Sequence, residues 1–157
     1  MPTRLRKLGE NSEVAAIVLA EAGLRRLGYA LDFSTGSLAC ESGAFCASSL
    51  LGKLLPAIGQ GAVALQARAD RDDVREVLAA INHEPTMIAI RAEREVQRLF
   101  SGDCSLPIGV RTLLEGDRIS MSGILFHEEG KPPRSATAEG PVAELARVAA
   151  ELVAGLT

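Results

Sequence analysis

The sequence has no tryptophan, one tyrosine and four phenylalanines, so aromatic residues make up 3% of a chain that is 47% hydrophobic. That shortage argues against a surface that stacks nucleic-acid bases, and it leaves Ala, Val, Leu and Ile to build the core, which suits packed helices and strands. An excess of positive charge is also missing. Lys and Arg number 17 against 20 Asp and Glu, for a net charge of −3. Neither a nucleic-acid field nor a polybasic membrane patch is available, and any anion site must be local. No apolar run approaches the roughly 20 residues of a membrane span, and the N-terminal MPTRLRKLGE is charged rather than signal-like. A cytoplasmic location is the expectation. Cysteine is scarce and unpaired in pattern: positions 40, 46 and 104 form no CxxC, and only His83 and His127 could add imidazole. No disulfide framework and no zinc site are signalled, in keeping with a reducing compartment.

The residues present organise into two kinds of segment. VAAIVLA at 14–20 is a short apolar run of the kind expected for a strand covered on both faces, and AGLRRLG after it reads as a helical turn or two closed by Gly28. From Tyr29 to Lys53 the chain is rich in small residues and poor in periodicity, so a long loop is expected over about 30–52. LPAIGQGAVALQAR carries glycines on either side of Gln60, suited to a sharp turn or to close approach of a ligand, and ends in a strand-like VALQAR. Apolar residues at 74, 77, 78 and 81 predict a helix with one face on a core. A second helix is predicted from about Thr86 to Phe100, with Ile88, Ala92, Val96 and Leu99 on one side and Arg91, Glu93, Arg94 and Glu95 mostly on the other. Strands follow at about 108–114, 118–126 and 134–138, joined by short turn-like connections, and pair as an antiparallel meander. Pro141 opens a last helix that turns Val142, Leu145, Ala146, Ala149 and Leu152 inward. The C-terminal part is thus an α+β domain, a three-stranded antiparallel sheet covered by helices.

One cysteine stands out by its setting. In LFSGDCSLPIGV, Leu99 and Phe100 close a helix, Gly102 suits the left-handed position that ends one, and Pro107 prevents a restart. Cys104 therefore falls on a short connection between Asp103 and Ser105, unlike a structural cysteine on an apolar face.

Taken in order, PTRLRKLG, LAEAGLRRLG, LPAIGQGA, INHEPT, RAERE and SGDCSLPIGV resemble the C-terminal half of the hydroxymethylbilane synthase (porphobilinogen deaminase) family. The resemblance covers nearly the whole chain except about 30–52, where the family has a shorter connection. It implies a tetrapyrrole-biosynthesis transferase that condenses four porphobilinogens head to tail, with loss of ammonia, on a covalently attached dipyrromethane cofactor. Cys104 matches the cysteine that holds this cofactor through a thioether. A thiolate is a soft nucleophile able to add to the azafulvene left when porphobilinogen loses ammonia, and a loop gives the tethered chain room to move. Because Cys104 follows a helix C-terminus, that helix dipole does not acidify it.

Pyrrole rings of this pathway bear acetate and propionate groups, which call for fork-shaped donors. By motif position Arg4 and Arg26 match arginines that line the family's cleft, Gln60 and Gly61 match a segment near the pyrrole chain, and Ala20 matches a wall position. Arg25 reads as an ordinary surface residue. Arg91 and Arg94 are explained by helical pairing with Glu95 and Glu93, His83 by capping, and Cys40 and Cys46 as free loop thiols.

The resemblance also implies a longer, three-domain protein. On it, residues 1–58 belong to part of a second α/β domain of periplasmic-binding-protein-like fold, 59–82 form a crossover that returns to the first domain, and 83–157 form the cofactor-cysteine domain. The family's catalytic aspartate has no counterpart here: none of Asp32, Asp70, Asp72, Asp73, Asp103 or Asp117 sits in its motif, and a lone thiol cannot supply general acid–base catalysis. No catalytic residue and no metal ligand is therefore expected in this chain. The expected partners are porphobilinogen, pyrrole-chain intermediates and a missing N-terminal half, with no nucleic acid and no membrane. A fragment active only with that half, a non-catalytic remnant that binds pyrroles or protein, and a small α+β binding module with an incidental cysteine are the readings open to test.

Overall fold

The computed structural model describes residues 2–41, 43–100, 107–126 and 131–157. The chain divides into two units, residues 1–51 and 52–157, each α+β in character and each holding a three-stranded antiparallel sheet.

In the first unit, helix α1 (Pro2–Glu10) starts at a proline, whose missing N–H costs nothing in the first turn, and an Arg6–Glu10 pair one turn apart supports its exposed side. Helix α2 (Glu21–Arg26) follows. Strands β1 (Ala30–Asp32), β2 (Ser37–Cys40) and β3 (Gly43–Cys46) then form a meander. The first reversal is set by Asp32, whose carboxylate accepts from the Ser34 backbone N–H at 2.8 Å and from the Ser34 and Thr35 hydroxyls at 2.6 and 3.0 Å. This side-chain turn lets the chain fold back on itself. Leu5 of α1, Leu24 of α2 and Leu38 of β2 are the buried centre, with Ile17, Leu19, Tyr29, Leu31, Cys40 and Phe45 packed around them.

Two expectations are corrected here. The stretch expected to be a loop at 30–52 contains the three strands just described, because its turn chemistry is local and outweighs its weak apolar pattern. VAAIVLA at 14–20 forms no strand, and Val18 is 65% exposed. A strand needs a neighbour for its N–H and C=O groups, and none lies beside it among the described residues.

The second unit holds helices α3 (Asp72–Ala80) and α4 (Glu84–Leu99), strands β4 (Ile108–Glu115), β5 (Arg118–Leu125) and β6 (Arg134–Pro141), a 3₁₀ turn at Val142–Glu144 and helix α5 (Leu145–Leu156). The sheet order is β4-β5-β6, in register from Ile108↔Leu125 to Glu115↔Arg118 and from Arg118↔Pro141 to Leu125↔Arg134. Both α4 and α5 pack on it and on each other. Ala92 and Val96 of α4, Val110, Ile119 and Met121 of the sheet, and Val148, Ala149, Leu152 and Leu156 of α5 are essentially inaccessible. The expected meander and covering helices are present. Within the helices some facings differ: Leu99 is 37% exposed and Glu93 is buried on α4, while on α5 Ala146 is exposed and Val148 and Leu156 turn inward. The cause on α5 is that the 3₁₀ turn delays the start of regular helix to Leu145, which sets the phase of its inner face. Helix α3 buries no residue, and VALQAR at 63–68 is irregular with Val63 79% exposed.

The outer strand β4 is partly covered by residues 55–58. Val110 N–H donates to the Pro56 carbonyl at 2.8 Å, and Ile58 packs against the core. Gly109 makes this approach possible. A Cβ there would stand 2.9 Å from the Leu55 carbonyl oxygen, 3.0 Å from Leu55 Cβ and 3.1 Å from Ile124 Cγ2. Because the first of these is backbone, it cannot swing aside. Gly109→Ala is expected to lower stability by about 1–3 kcal/mol, the range for overpacking a tight site, as read by urea denaturation. In the wild-type chain, amide exchange is expected to be slow in β5, α4 and α5 and fast over 63–69, where no backbone N–H has a partner among the described residues.

Candidate functional site

The two glycines around Gln60 form a turn whose shape requires them. Gly59 and Gly61 take φ of +71° and +89°, a region L side chains rarely enter. Gln60 N–H donates to the Ala57 carbonyl at 3.0 Å and Ala62 N–H to the Gly59 carbonyl at 3.3 Å. Gln60 and Gly61 are both exposed at the tip.

Beneath the turn lies a residue expected on the solvent side. Glu93 of α4 is only 8% exposed, and its carboxylate accepts the Gly59 backbone N–H at 2.8 Å. Burial pushes its carboxyl above the ordinary glutamate value, against the pull of the Gly59 and Thr112 backbone N–H groups, which favour the charged form. The Thr112 hydroxyl stands near the same carboxylate but outside hydrogen-bonding geometry, so its Oγ1 is buried without a partner among the described residues. A signal was present in the sequence: Glu93 stands three residues before Val96 and seven before Phe100, which places it on the apolar face of the helix.

In the first unit, Arg4 lines a cleft of about 440 Å³ with Lys7, Leu8, Asn11, Val14, Ile17 and Val18. Arg4, Lys7 and Asn11 are spaced so that they follow one helix face, and Val14, Ile17 and Val18 of the irregular 14–18 stretch line the same cleft. Neither Arg4 nor Lys7 has an ion-pair partner among the described residues. The same holds for Arg26, at the end of α2, whereas its neighbour Arg25 is held by Glu21 at 2.6 Å, as its reading as a surface residue requires. Ala20 is exposed and precedes α2, its carbonyl accepting from Gly23 and Leu24 N–H at 3.0 and 3.3 Å. Arg4, Ala20 and Arg26 thus share the first unit, and Gln60 and Gly61 share one turn of the second. Cys104, with the SGDCSL stretch around it, lies outside the described residues, as does His127.

Other assignments are settled by partners. His83 caps α4, with Nδ1 2.8 Å from the Thr86 hydroxyl and accepting from its backbone N–H at 3.4 Å. The expected pairing of Arg91 and Arg94 with Glu95 and Glu93 does not occur: Glu95 is taken by Arg98 at 2.6 and 2.8 Å and Glu93 by Gly59. Cys40 is half-buried and Cys46 exposed, both as free thiols. Among the described residues no group of His, Cys, Asp and Glu is arranged to hold a metal ion, and no helix is long and apolar enough to cross a membrane.

An α+β chain with an exposed glycine turn and unpaired arginines is the class that these elements define, and comparison with known proteins specifies it further. The family model described as "Porphobilinogen deaminase, dipyromethane cofactor binding domain" matches residues 1–76, and "Porphobilinogen deaminase, C-terminal domain" matches 87–155. Proteins named porphobilinogen deaminase from Chromobacterium violaceum, Methylobacillus flagellatus and Shouchella clausii are 37%, 36% and 42% identical to it over 139, 141 and 130 residues. These alignments cover 88%, 90% and 82% of this chain but 41%, 41% and 38% of the relatives. The chain belongs to the porphobilinogen deaminase family and spans about two fifths of the length of the curated relatives it matches. Cys104 falls in the part matched by the C-terminal domain, Arg4, Ala20, Arg26, Gln60 and Gly61 in the part matched by the other.

The buried carboxyl gives a prediction with a definite sign. Because the folded-state pKa of Glu93 is raised above its unfolded value, near 4.5, the folded chain keeps a proton that the unfolded chain has released. The associated stability is present below pH 4.5 and is lost as pH rises from there through the folded value. Glu93→Gln cannot ionise, yet still offers an oxygen to Gly59 N–H. Denaturation at a series of pH values is expected to show that decline flattened in Glu93→Gln, with the variant at least as stable as wild type at neutral pH.

Proposed function

We propose that this chain is the C-terminal portion of a hydroxymethylbilane synthase and contributes the cofactor attachment and part of the pyrrole-binding cleft to that transferase. The observation that carries the reading is the ordered set of motifs from PTRLRKLG to SGDCSLPIGV, spread across both family matches. In this reading Cys104 holds dipyrromethane through a thioether, Arg4 and Arg26 receive ring carboxylates, Gln60 and Gly61 border the pyrrole chain, and Ala20 is part of the wall. The donor set fits such a group: among the described residues Arg4 and Arg26 have no carboxylate partner, and the apolar residues beside Arg4 suit a flat ring with acidic substituents. When bound, the cofactor supplies the pyrrole end from which the chain of porphobilinogen units is extended.

The proposed layout assigns 1–58 to part of a second, periplasmic-binding-protein-like α/β domain, 59–82 to a crossover and 83–157 to the cysteine domain. A preceding portion of the enzyme supplies the proton donor, since no aspartate here lies in the matching motif. The small buried centre of the first unit and the exposed Val18 and Val63 support a need for additional chain. Free thiols at Cys40 and Cys46 agree with a reducing, cytoplasmic setting.

Purified alone, the chain is expected not to consume porphobilinogen; hydroxymethylbilane made by the chain alone would overturn this account. With the preceding portion of a related porphobilinogen deaminase supplied, mass analysis is expected to find a dipyrromethane adduct on the peptide containing SGDCSLPIGV. Cys104→Ser should abolish the adduct, because a hydroxyl is a much poorer nucleophile near neutral pH, while Cys40→Ser and Cys46→Ser should leave it intact. An adduct on another residue, or one that survives in Cys104→Ser, would exclude Cys104 as the attachment point.

A further inference from the structure

We propose that Glu93 is a positioning residue for the Gly59–Gln60–Gly61 turn, tethering it to α4 so that the Gly61 N–H and the Gln60 carboxamide are held outward as donors for a carboxylate-bearing ligand. The ligand half of this proposal rests on the pyrrole-binding reading above; the tether half does not.

The turn is fixed from several sides. Gly59 N–H is drawn inward to the Glu93 carboxylate at 2.8 Å, Ile58 is packed on the core, and Pro56 is bonded to β4 through Val110. At the tip, Gly61 N–H and the Gln60 side chain have no hydrogen-bond partner among the described residues. A glycine pair with positive φ is the most conformationally free sequence a turn can have, so without an anchor its exposed donors would sample many directions. An acceptor fixed on a helix whose neighbours Ala92 and Val96 are inaccessible removes that freedom before any ligand arrives. The choice of glutamate is informative. A buried carboxylate is an unfavourable way to fill space on an apolar helix face, and methionine would fill it without desolvating a charge. What glutamate adds is a strong acceptor for backbone N–H groups, that of Gly59 on the turn and that of Thr112 on β4.

The test compares Glu93→Gln, which keeps the acceptor, with Glu93→Met, which keeps only the bulk. In the full-length chain, amide exchange at Gly59 is expected to accelerate about tenfold or more in Glu93→Met and to stay within about threefold of wild type in Glu93→Gln, while Ile119 and Met121 in β5 are unchanged. Unchanged exchange at Gly59 in Glu93→Met, or equal acceleration in both variants, would overturn the tether. Acceleration at Ile119 and Met121 together with Gly59 would mark a general packing role and overturn it too. The ligand half is read in the complex with the preceding portion of a related enzyme. There Glu93→Met is expected to raise KM for porphobilinogen about tenfold with a smaller effect on kcat, and Glu93→Gln to restore it. An unaltered KM alongside a loosened turn would overturn the ligand half. If the wild-type complex forms no product, the pyrrole-binding reading and the ligand half fail together, and the exchange result still decides the tether.

Discussion

Attachment of residues 55–61 to the sheet and helix of the second unit is the constraint on which the candidate site of that unit depends. The outer strand β4 presents backbone groups that would otherwise face solvent, and the Pro56 carbonyl satisfies one of them through Val110. The approach is close enough that only glycine fits at position 109. Once Pro56 is fixed and Ile58 is packed on the core, the next residue falls within reach of Glu93, and the turn that follows inherits its position from that anchor. The glycines allow the shape of the turn, but the edge strand and the buried carboxylate decide where it sits.

The two units differ in how much they bury. The second has a continuous apolar centre running from α4 through the sheet to α5, with residues such as Val96, Val110, Met121 and Leu152 fully inaccessible. In the first unit three leucines carry that role, one from each helix and one from β2. Stability grows with the fraction of surface a domain removes from water, so a unit of this size with so small a centre is near the lower limit for independent folding. Its cleft beside Arg4 belongs to the same economy of burial, because Val14 and Val18 form a wall that remains accessible instead of completing a core.

What could be read from the sequence follows the same division. Helix α4, the β4–β5–β6 meander and helix α5 were legible because each has a clear period and short connections, and because each finds its partner nearby in the chain. VAAIVLA and VALQAR have the composition of strands, but composition cannot supply the neighbour that a strand must bond to, and both are irregular here. At 30–46 the reverse holds: weak periodicity conceals a meander set by Asp32 and its turn. Within the site, Gln60 and Gly61 were legible as a turn from their glycines. Glu93 is hidden in the sequence by the charged residues around it, and only its angle to Val96 and Phe100 marks it as buried.

The arginines show how far local charge arithmetic can go. Arg6 has Glu10 four residues ahead, Arg25 has Glu21 four residues behind, and both are paired. Arg4 and Arg26 face Leu8 and Ala22 at the corresponding positions, and both lack partners among the described residues. This rule separates neighbours as close as Arg25 and Arg26. It fails where one acid has two suitors: Arg91 and Arg98 both lie within reach of Glu95 by spacing, and the bidentate contact goes to Arg98. The distinction matters for binding because a guanidinium already held by a carboxylate must give up that partner before it can receive another, whereas an unpaired one exchanges only water. On that ground Arg4, Lys7 and Arg26, without an ion pair among the described residues, differ from the paired Arg6 and Arg25: an acidic group approaching the first three would displace water alone, and one approaching the other two would first have to break an existing ion pair.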